Sequence, residues 1–289
     1  MQGLAMQGLG MTRALRTDAS LAGGGPVAEF LIDGLPTTEA DLSYLALVNY
    51  GAYTAFRYEG GGVRGLDLHL ARLDAYAVAL FGEPVGEDRL RNLIRTALAA
   101  GGDAWVRVSL FSPEIVARTP SAQVRPKVMT VVSAPPPPLA TRMRLGIQTY
   151  VREEPQIKHT ATMGLVRARR LARERGFDDA LFADAEGSIS EGSSWNIGFL
   201  RGDCVVWPDA PMLVGATQAL IARGLAEVGL AQSTEPVRRE DFSSFDSAFI
   251  CNSATPACRV TAIDELVFPG ADVTARLHLA WVSQSPEPI

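Results

Sequence analysis

Strands and helices are mixed along this chain without strict alternation, which predicts an α+β fold in two domains rather than a doubly wound parallel sheet. Three observations carry this. Each half reads as strands, then helix, then strands. Four consecutive prolines, Pro135 to Pro138, break the pattern near the middle, and 47% of the 289 residues are hydrophobic, enough for a core on each side. A proline run cannot continue a sheet interior and forms a stiff extended connector. The expected organisation is a disordered leader over 1–25, an N-terminal α+β domain over 26–134, a proline-rich linker over 135–140 and a C-terminal α+β domain over 141–289.

The leader is inferred from the repeated Met-Gln-Gly-Leu and the run Gly23-Gly24-Gly25. Glu29 to Ile32 followed by Asp33-Gly34 reads as a strand and turn, and Ala52 to Tyr58 alternates with aromatic content before Gly60-Gly61-Gly62. Asp67 offers an N-cap to a helix reaching about Phe81. A second helix from about Glu87 to Ala99 stops at Gly101-Gly102. Ala104 to Leu110 and Lys127 to Ser133 return to the strand pattern. Beyond the prolines, Arg142 to Tyr150 is strand-like and Gly164 to Arg175 is a basic amphipathic helix with Gly176 as its C-cap. Arg167, Arg169, Arg170, Arg173 and Arg175 are most simply its solvated face. Asp179 to Ala183, Ser188 to Ser190, Asn196 to Leu200 and Cys204 to Trp207 read as short strands between glycine turns, and Val214 to Val228 as a helix. No internal repeat is visible.

Composition excludes several functions. A net charge of -5 and a pI near 5.3 argue against nucleic acid as the main partner. No run of eighteen apolar residues exists and the start lacks a signal-peptide pattern, so a cytoplasmic protein without a membrane partner is expected. Cys204, Cys251 and Cys258 fit reduced thiols, and with only three histidines no metal cluster is expected.

Chemistry that needs a deprotonatable amine has two places to occur, since Lys127 and Lys158 are the only lysines against twenty-five arginines. Lys127 follows a proline at a strand start and reads as an ordinary charge. Lys158, in Gln156-Ile157-Lys158-His159-Thr160, stands just before a helical stretch with hydroxyls nearby. Glu191 lies among small polar residues between two strands. Gly215-Ala216-Thr217 opens a helix whose free N–H groups and dipole would face an anion. Taken singly, each is explained as readily by a chance lysine, a turn acid and a helix cap. Together, a lysine, a carboxylate and a phosphate-sized site are what pyridoxal 5'-phosphate requires: an amine for its aldehyde, an acid for its pyridine nitrogen and a cradle for its phosphate.

From about Glu29 to Asp264 the chain resembles the class IV aminotransferases, fold-type IV pyridoxal phosphate enzymes that include branched-chain and D-amino acid aminotransferases and aminodeoxychorismate lyase. The resemblance is most specific from Gln156-Ile157-Lys158 through Gly176-Phe177-Asp178-Asp179-Ala180-Leu181 to Glu191-Gly192-Ser193-Ser194-Trp195-Asn196. It implies that Lys158 holds the cofactor as an imine and is catalytic, and that Glu191 pairs with the pyridine nitrogen. Leu213-Val214-Gly215-Ala216-Thr217 is similar to the phosphate loop, giving Ala216 and Thr217. Leu68-His69-Leu70-Ala71-Arg72-Leu73 resembles the His-x-x-Arg-Leu helix, giving Arg72 to the phosphate and leaving His69 structural. Ser253-Ala254 falls where the phosphate and substrate-carboxylate sites are completed.

The departures bear on substrate. Thr54 stands where many members have glutamate, Tyr53 where they have phenylalanine, Trp105-Val106-Arg107 replaces Tyr-x-Arg, and Met163 stands where branched-chain enzymes have tyrosine. Arg57 and Arg107 are candidates for a substrate carboxylate, or equally for structural ion pairs. The resemblance implies an aminotransferase with a small-molecule amino donor and keto acid acceptor, working as a homodimer. The rivals are a lyase of the aminodeoxychorismate type and a non-catalytic protein of the same fold.

Overall fold

The computed structural model describes residues 29–99, 101–120 and 123–289. The leader expected over 1–25 lies outside the described residues.

The first half is built on strands β1 (Glu29–Ile32), β2 (Leu35–Pro36), β3 (Ala52–Tyr58), β4 (Gly62–Arg64), β5 (Ala104–Phe111) and β6 (Lys127–Ser133), with helices α1 (Glu39–Leu47), α2 (Leu66–Phe81) and α3 (Glu87–Ala97). Five of the strands form an antiparallel sheet in the order β2-β1-β6-β5-β3. Alternation along β3 sends Ala52, Thr54 and Phe56 to the interior while Tyr53, Ala55 and Arg57 take the other face. The inward face meets α2 and α3 through Leu66, Leu70, Leu73, Phe81, Leu90 and Ile94, all buried. Each such large side chain stabilises the fold by about 1.5–3 kcal/mol.

The second half contains β7 (Arg142–Thr149), α4 (Met163–Glu174), β8 (Asp179–Ala183), β9 (Ile189–Gly192), β10 (Asn196–Arg201), β11 (Cys204–Pro208), α5 (Ala216–Gly224), β12 (Ala231–Glu235), β13 (Ser247–Asn252), β14 (Thr255–Ile263), β15 (Leu266–Val267), α6 (Thr274–Val282) and β16 (Pro286–Pro288). The sheet order is β12-β11-β10-β13-β14-β7-β8-β9, with β15 beside β14. Strand β9 also pairs with β10, Asn196 opposite Glu191, so β10, β13, β14, β7, β8 and β9 close on themselves around a core that includes Leu181, Ile197, Phe199 and Ile250. The chain passes from one sheet to the other through 134–141, the segment that holds the prolines. It then returns: β16 pairs with β4, Arg64 donates to the carbonyls of Val282 and Gln284, and Ile289 packs on the first core.

Several boundaries differ from expectation. The N-cap of α2 is Gly65, in the left-handed region at φ 67°, and Asp67 sits inside the first turn, where its carboxylate accepts from Arg223 at 2.9 Å. Helix α3 ends at Ala97 with Leu98 as its cap. Helix α4 begins at Met163 and ends at Glu174, capped by Arg175, with Gly176 next at φ 86°. The expected helix over 214–228 divides into α5 and a 3₁₀ turn, Leu225–Val228. The strand expected over 188–190 is shifted to Ile189–Gly192, which brings Glu191 inside a strand. The arginines of α4 are not simply a solvated face: Arg169 bonds the buried Asp179, Arg173 donates to the Asp178 carbonyl and Arg175 lies 4.0 Å from Asp264. Lys127 pairs with Asp41 at 2.8 Å. No helix among the described residues is long and apolar enough to cross a membrane. All three cysteines are free thiols.

Candidate active site

Residues on one face of α2 tie three parts of the molecule together. His69, Arg72 and Tyr76 are spaced i, i+3 and i+7, so they project from the same side of the helix. His69 meets the Thr54 hydroxyl of β3 at 2.6 Å, Arg72 donates to the carbonyl of Val214 just before α5 at 2.5 Å, and the Tyr76 hydroxyl donates to the carbonyl of Gln156 at 3.1 Å. Burial, with Arg72 adding to it, drives His69 down to about pKa 3. It therefore stays neutral through the physiological range, consistent with a structural part.

Lys158 lies in the irregular segment between β7 and α4, and neighbouring chain fixes its backbone from both sides. Its carbonyl accepts from Tyr53 N–H at 2.9 Å, Thr160 N–H donates to Gly51 O at 2.8 Å, and Arg152 Nη2 donates to Ile157 O at 2.8 Å. The amine sits 5.0 Å from the centre of the Tyr53 ring. Burial lowers the Lys158 pKa; Arg152 and Arg72 push the same way, and Tyr53 and Glu191 oppose them. An amine in this setting is neutral at lower pH than an ordinary lysine, which is the condition for nucleophilic chemistry.

Glu191, 5% exposed, stands on β9 where that strand meets β10. Its carboxylate accepts from Leu213 N–H at 3.3 Å and faces Arg152 Nη1 at 3.4 Å. Burial raises its pKa, opposed by Arg152, Leu213 N–H and Lys158. Asn196 grips the neighbouring loop from two sides, its amide nitrogen donating to Leu213 O at 2.6 Å and its oxygen accepting from Gly215 N–H at 3.1 Å. A Cβ at Gly215 would overlap that oxygen, so glycine is required for the loop to approach. The N–H groups of Ala216 and Thr217, in the first turn of α5, have no acceptor within the helix.

These parts converge on a cleft of about 360 Å³. Lys158, Glu191, Arg72, Ala216, Thr217, Ser253 and Ala254 all line it, together with Tyr53, Thr54, Trp105, Arg152 and Trp195. Arg57 and Arg107 do not line it. Arg107 stacks on the Tyr53 ring at 3.7 Å, one side chain removed from the cleft, and Arg57 is opposite Trp105 in the sheet. The residue that sequence reasoning missed is Arg152, 6% exposed and behind both Glu191 and Lys158. Among twenty-five arginines nothing local distinguishes it. No group of three or more His, Cys, Asp or Glu side chains among the described residues is arranged to hold a metal ion.

The fold and cleft define a class first: this is the architecture of fold-type IV transaminases. It is similar to the branched-chain aminotransferase of Thermoproteus uzoniensis, solved with norvaline, at a TM-score of 0.77 with 22% identity, covering 88% of this chain and 93% of that one. An aminotransferase from Brucella abortus, solved with bound PLP, gives a TM-score of 0.72 at 22% identity over 81% of this chain and 89% of that one. Residues 51–263 match the amino-transferase class IV family, and the chain belongs to it. Among curated relatives, a probable branched-chain-amino-acid aminotransferase of Rickettsia bellii is 30% identical over 100 residues, which is 34% of this chain and 35% of that protein. An aminodeoxychorismate lyase of Bacillus subtilis is 27% identical over 116 residues, 38% of this chain and 40% of that protein. The chain thus spans well under half the length of these relatives.

Proposed function

We propose that this protein is a pyridoxal 5'-phosphate-dependent aminotransferase that moves an amino group between an amino acid or amine and a 2-keto acid, with Lys158 as its catalytic residue. The observation that carries the reading is a single cleft in which the lysine amine, held in a setting that favours its neutral form, shares the space with a buried carboxylate and the open first turn of a helix.

The donor set fits the cofactor. Lys158 offers a nucleophilic amine, Glu191 an acceptor for a protonated ring nitrogen, and the N–H groups of Ala216 and Thr217, the Thr217 hydroxyl, Arg72 and Ser253 a cradle for a dianionic phosphate. When bound, the cofactor supplies an electron sink for charge that develops at the substrate Cα. Lys158 Nζ takes the proton from that carbon and returns it on the other side of the reaction. Arg152 keeps a positive charge behind Glu191 and favours its ionised form. Ala254, which lines the cleft, is proposed for the substrate carboxylate, with Arg107, stacked on the Tyr53 ring, and Arg57, farther along β3, as longer-range positive charge. Tyr53 and Trp105 would form an aromatic wall for the rest of the donor.

A homodimer is part of the proposal. Tyr53, Ala55, Trp105 and Arg107 are only partly buried and share the face of the first sheet turned away from α2 and α3. A second copy over this face would exclude water and strengthen every charge-assisted contact in the cleft.

The test is a panel of amino donors of both hands with pyruvate and 2-oxoglutarate. Matched formation of keto acid and new amino acid is expected. Pyruvate released from an aminated chorismate without a new amino acid would replace the aminotransferase by a lyase. Absence of both reactions from cofactor-loaded protein would remove the enzymatic reading.

A further inference from the structure

Behind the cleft, outside its lining, lies a carboxylate that accepts more hydrogen bonds than any other side chain near the site. Asp179, 1% exposed at the start of β8, accepts from Arg169 Nε at 3.0 Å and Nη2 at 2.8 Å, from Ser193 Oγ at 2.8 Å, from Trp195 Nε1 at 2.9 Å and from Ala180 N–H at 2.8 Å. Arg169 reaches past it to the Ser194 hydroxyl at 2.8 Å. Ser193, Ser194 and Trp195 all line the cleft, and Asp179 and Arg169 do not.

The two ends of this arrangement come from different elements around the cleft. Arg169 is in the middle of α4, the helix that starts five residues after Lys158, and Leu165 of that helix lines the cleft. Ser193 to Trp195 form the turn that follows Glu191 and leads to Asn196, the residue that pins the phosphate loop. The indole of Trp195 lies flat on Gly192, so closely that any Cβ there would overlap the ring. Its orientation therefore depends on glycine on one side and on the Asp179 carboxylate on the other.

We propose that the Arg169–Asp179 pair is a positioning clamp: it fixes the cleft wall made by Ser193, Ser194 and Trp195 at a set distance from Lys158, and so governs which donors the cleft accepts. A carboxylate is required, because an amide has one acceptor oxygen and cannot serve the guanidinium, the hydroxyl and the indole together. A guanidinium is required as well, because its fork is what spans Asp179 and Ser194 at once. The kinetic part rests on the aminotransferase reading; the spectroscopic part does not.

The test uses Asp179→Asn and Arg169→Met in the full chain, each with and without Trp195→Phe. Subtracting the Trp195→Phe emission spectrum isolates the Trp195 component of the cofactor-free protein. That component should move to the red in Asp179→Asn. In Arg169→Met, where Asp179 keeps its bonds from Ser193, Trp195 and Ala180, KM for the donor should rise about 10-fold, the scale expected when a wall near the chemistry loosens by a fraction of an ångström. The kcat should change much less. Arg169→Lys, which keeps the charge without the fork, should recover only part of KM. An unshifted Trp195 component in Asp179→Asn would overturn the clamp. So would an Arg169→Met enzyme whose loss of activity follows its melting temperature with KM unchanged. A shifted component in a protein with no transaminase activity would support the clamp and overturn the aminotransferase reading alone.

Discussion

Replacing Arg152 by methionine, which fills similar space without charge, isolates the Arg152–Glu191 contact in the cleft wall. The guanidinium stands 3.4 Å from Glu191, with side chains 4% and 6% exposed. At that separation an effective dielectric constant near 20 gives an attraction of about 5 kcal/mol. Removing one partner of a buried pair typically destabilises by about 3–5 kcal/mol. Lys158 offsets part of this, because without Arg152 it is relieved of a like charge and holds its proton more readily. The lower end, about 3 kcal/mol, corresponds to a fall of roughly 5 °C in Tm for a chain of this length, at an unfolding entropy of about 2.1 cal/mol/K per residue.

The deficit should also depend on pH in a definite sense. Burial already raises Glu191, and loss of Arg152 raises it further. A carboxyl whose folded pKa exceeds its unfolded value favours the folded state at low pH and loses that advantage as pH rises from the ordinary carboxylate range through the folded value. The gap between wild type and variant should therefore be small near pH 5 and full at pH 8, read by thermal melts of both proteins without cofactor. Equal melting at both pH values, or a larger gap at pH 5, would falsify the assignment of Arg152 as the charge that holds Glu191.

Borohydride reduction of the cofactor-loaded protein should attach the cofactor to Lys158 and not to Lys127, which is paired with Asp41 and does not line the cleft; peptide mapping decides. Arg72→Ala and Thr217→Ala should each weaken cofactor binding by about 1.5–3 kcal/mol, roughly 10- to 150-fold in Kd, with the arginine the larger, measured by titration. Cofactor capture by Lys158 should rise with pH around a midpoint below that of an ordinary lysine, and Tyr53→Phe should lower the midpoint further, since Tyr53 acts to raise the Lys158 pKa. A midpoint at the usual lysine value would contradict the burial argument. Light scattering of the loaded protein should return the mass of two chains; a fully active monomer would refute the shared-face proposal.

The cleft was legible in the sequence wherever a residue belongs to a short local pattern. Lys158, Glu191, Arg72, Ala216, Thr217, Ser253 and Ala254 sit in such patterns, and all line one cleft. Arg152 has no pattern of its own and becomes notable only once its loop folds back under Lys158. Tyr53 and Trp105 alternate within strands, and alternation tells that a strand has two faces without telling which faces the cleft. Helix α1 has no buried residue, so it has no apolar period to detect; its only local sign is the Thr38–Asp41 capping box. The α+β class followed from the element order. Strand β16, Pro-Glu-Pro, carries no strand propensity and exists because β4 offers it a partner.

That last pairing has a consequence for the order in which the molecule can assemble. Glu287 receives the Asp67 N–H at 3.5 Å across 220 residues of chain, and the Pro288 carbonyl accepts from Arg91 at 3.0 Å. The helix that bears Arg72 is thus sealed at its first turn by a segment synthesised long after it. Contacts so distant in sequence form late, because the loop they close must first be ordered. During synthesis the N-terminal half therefore waits with an open edge beside β4, and the helix that bears Arg72 gains its final support only once residues 286–288 have been made.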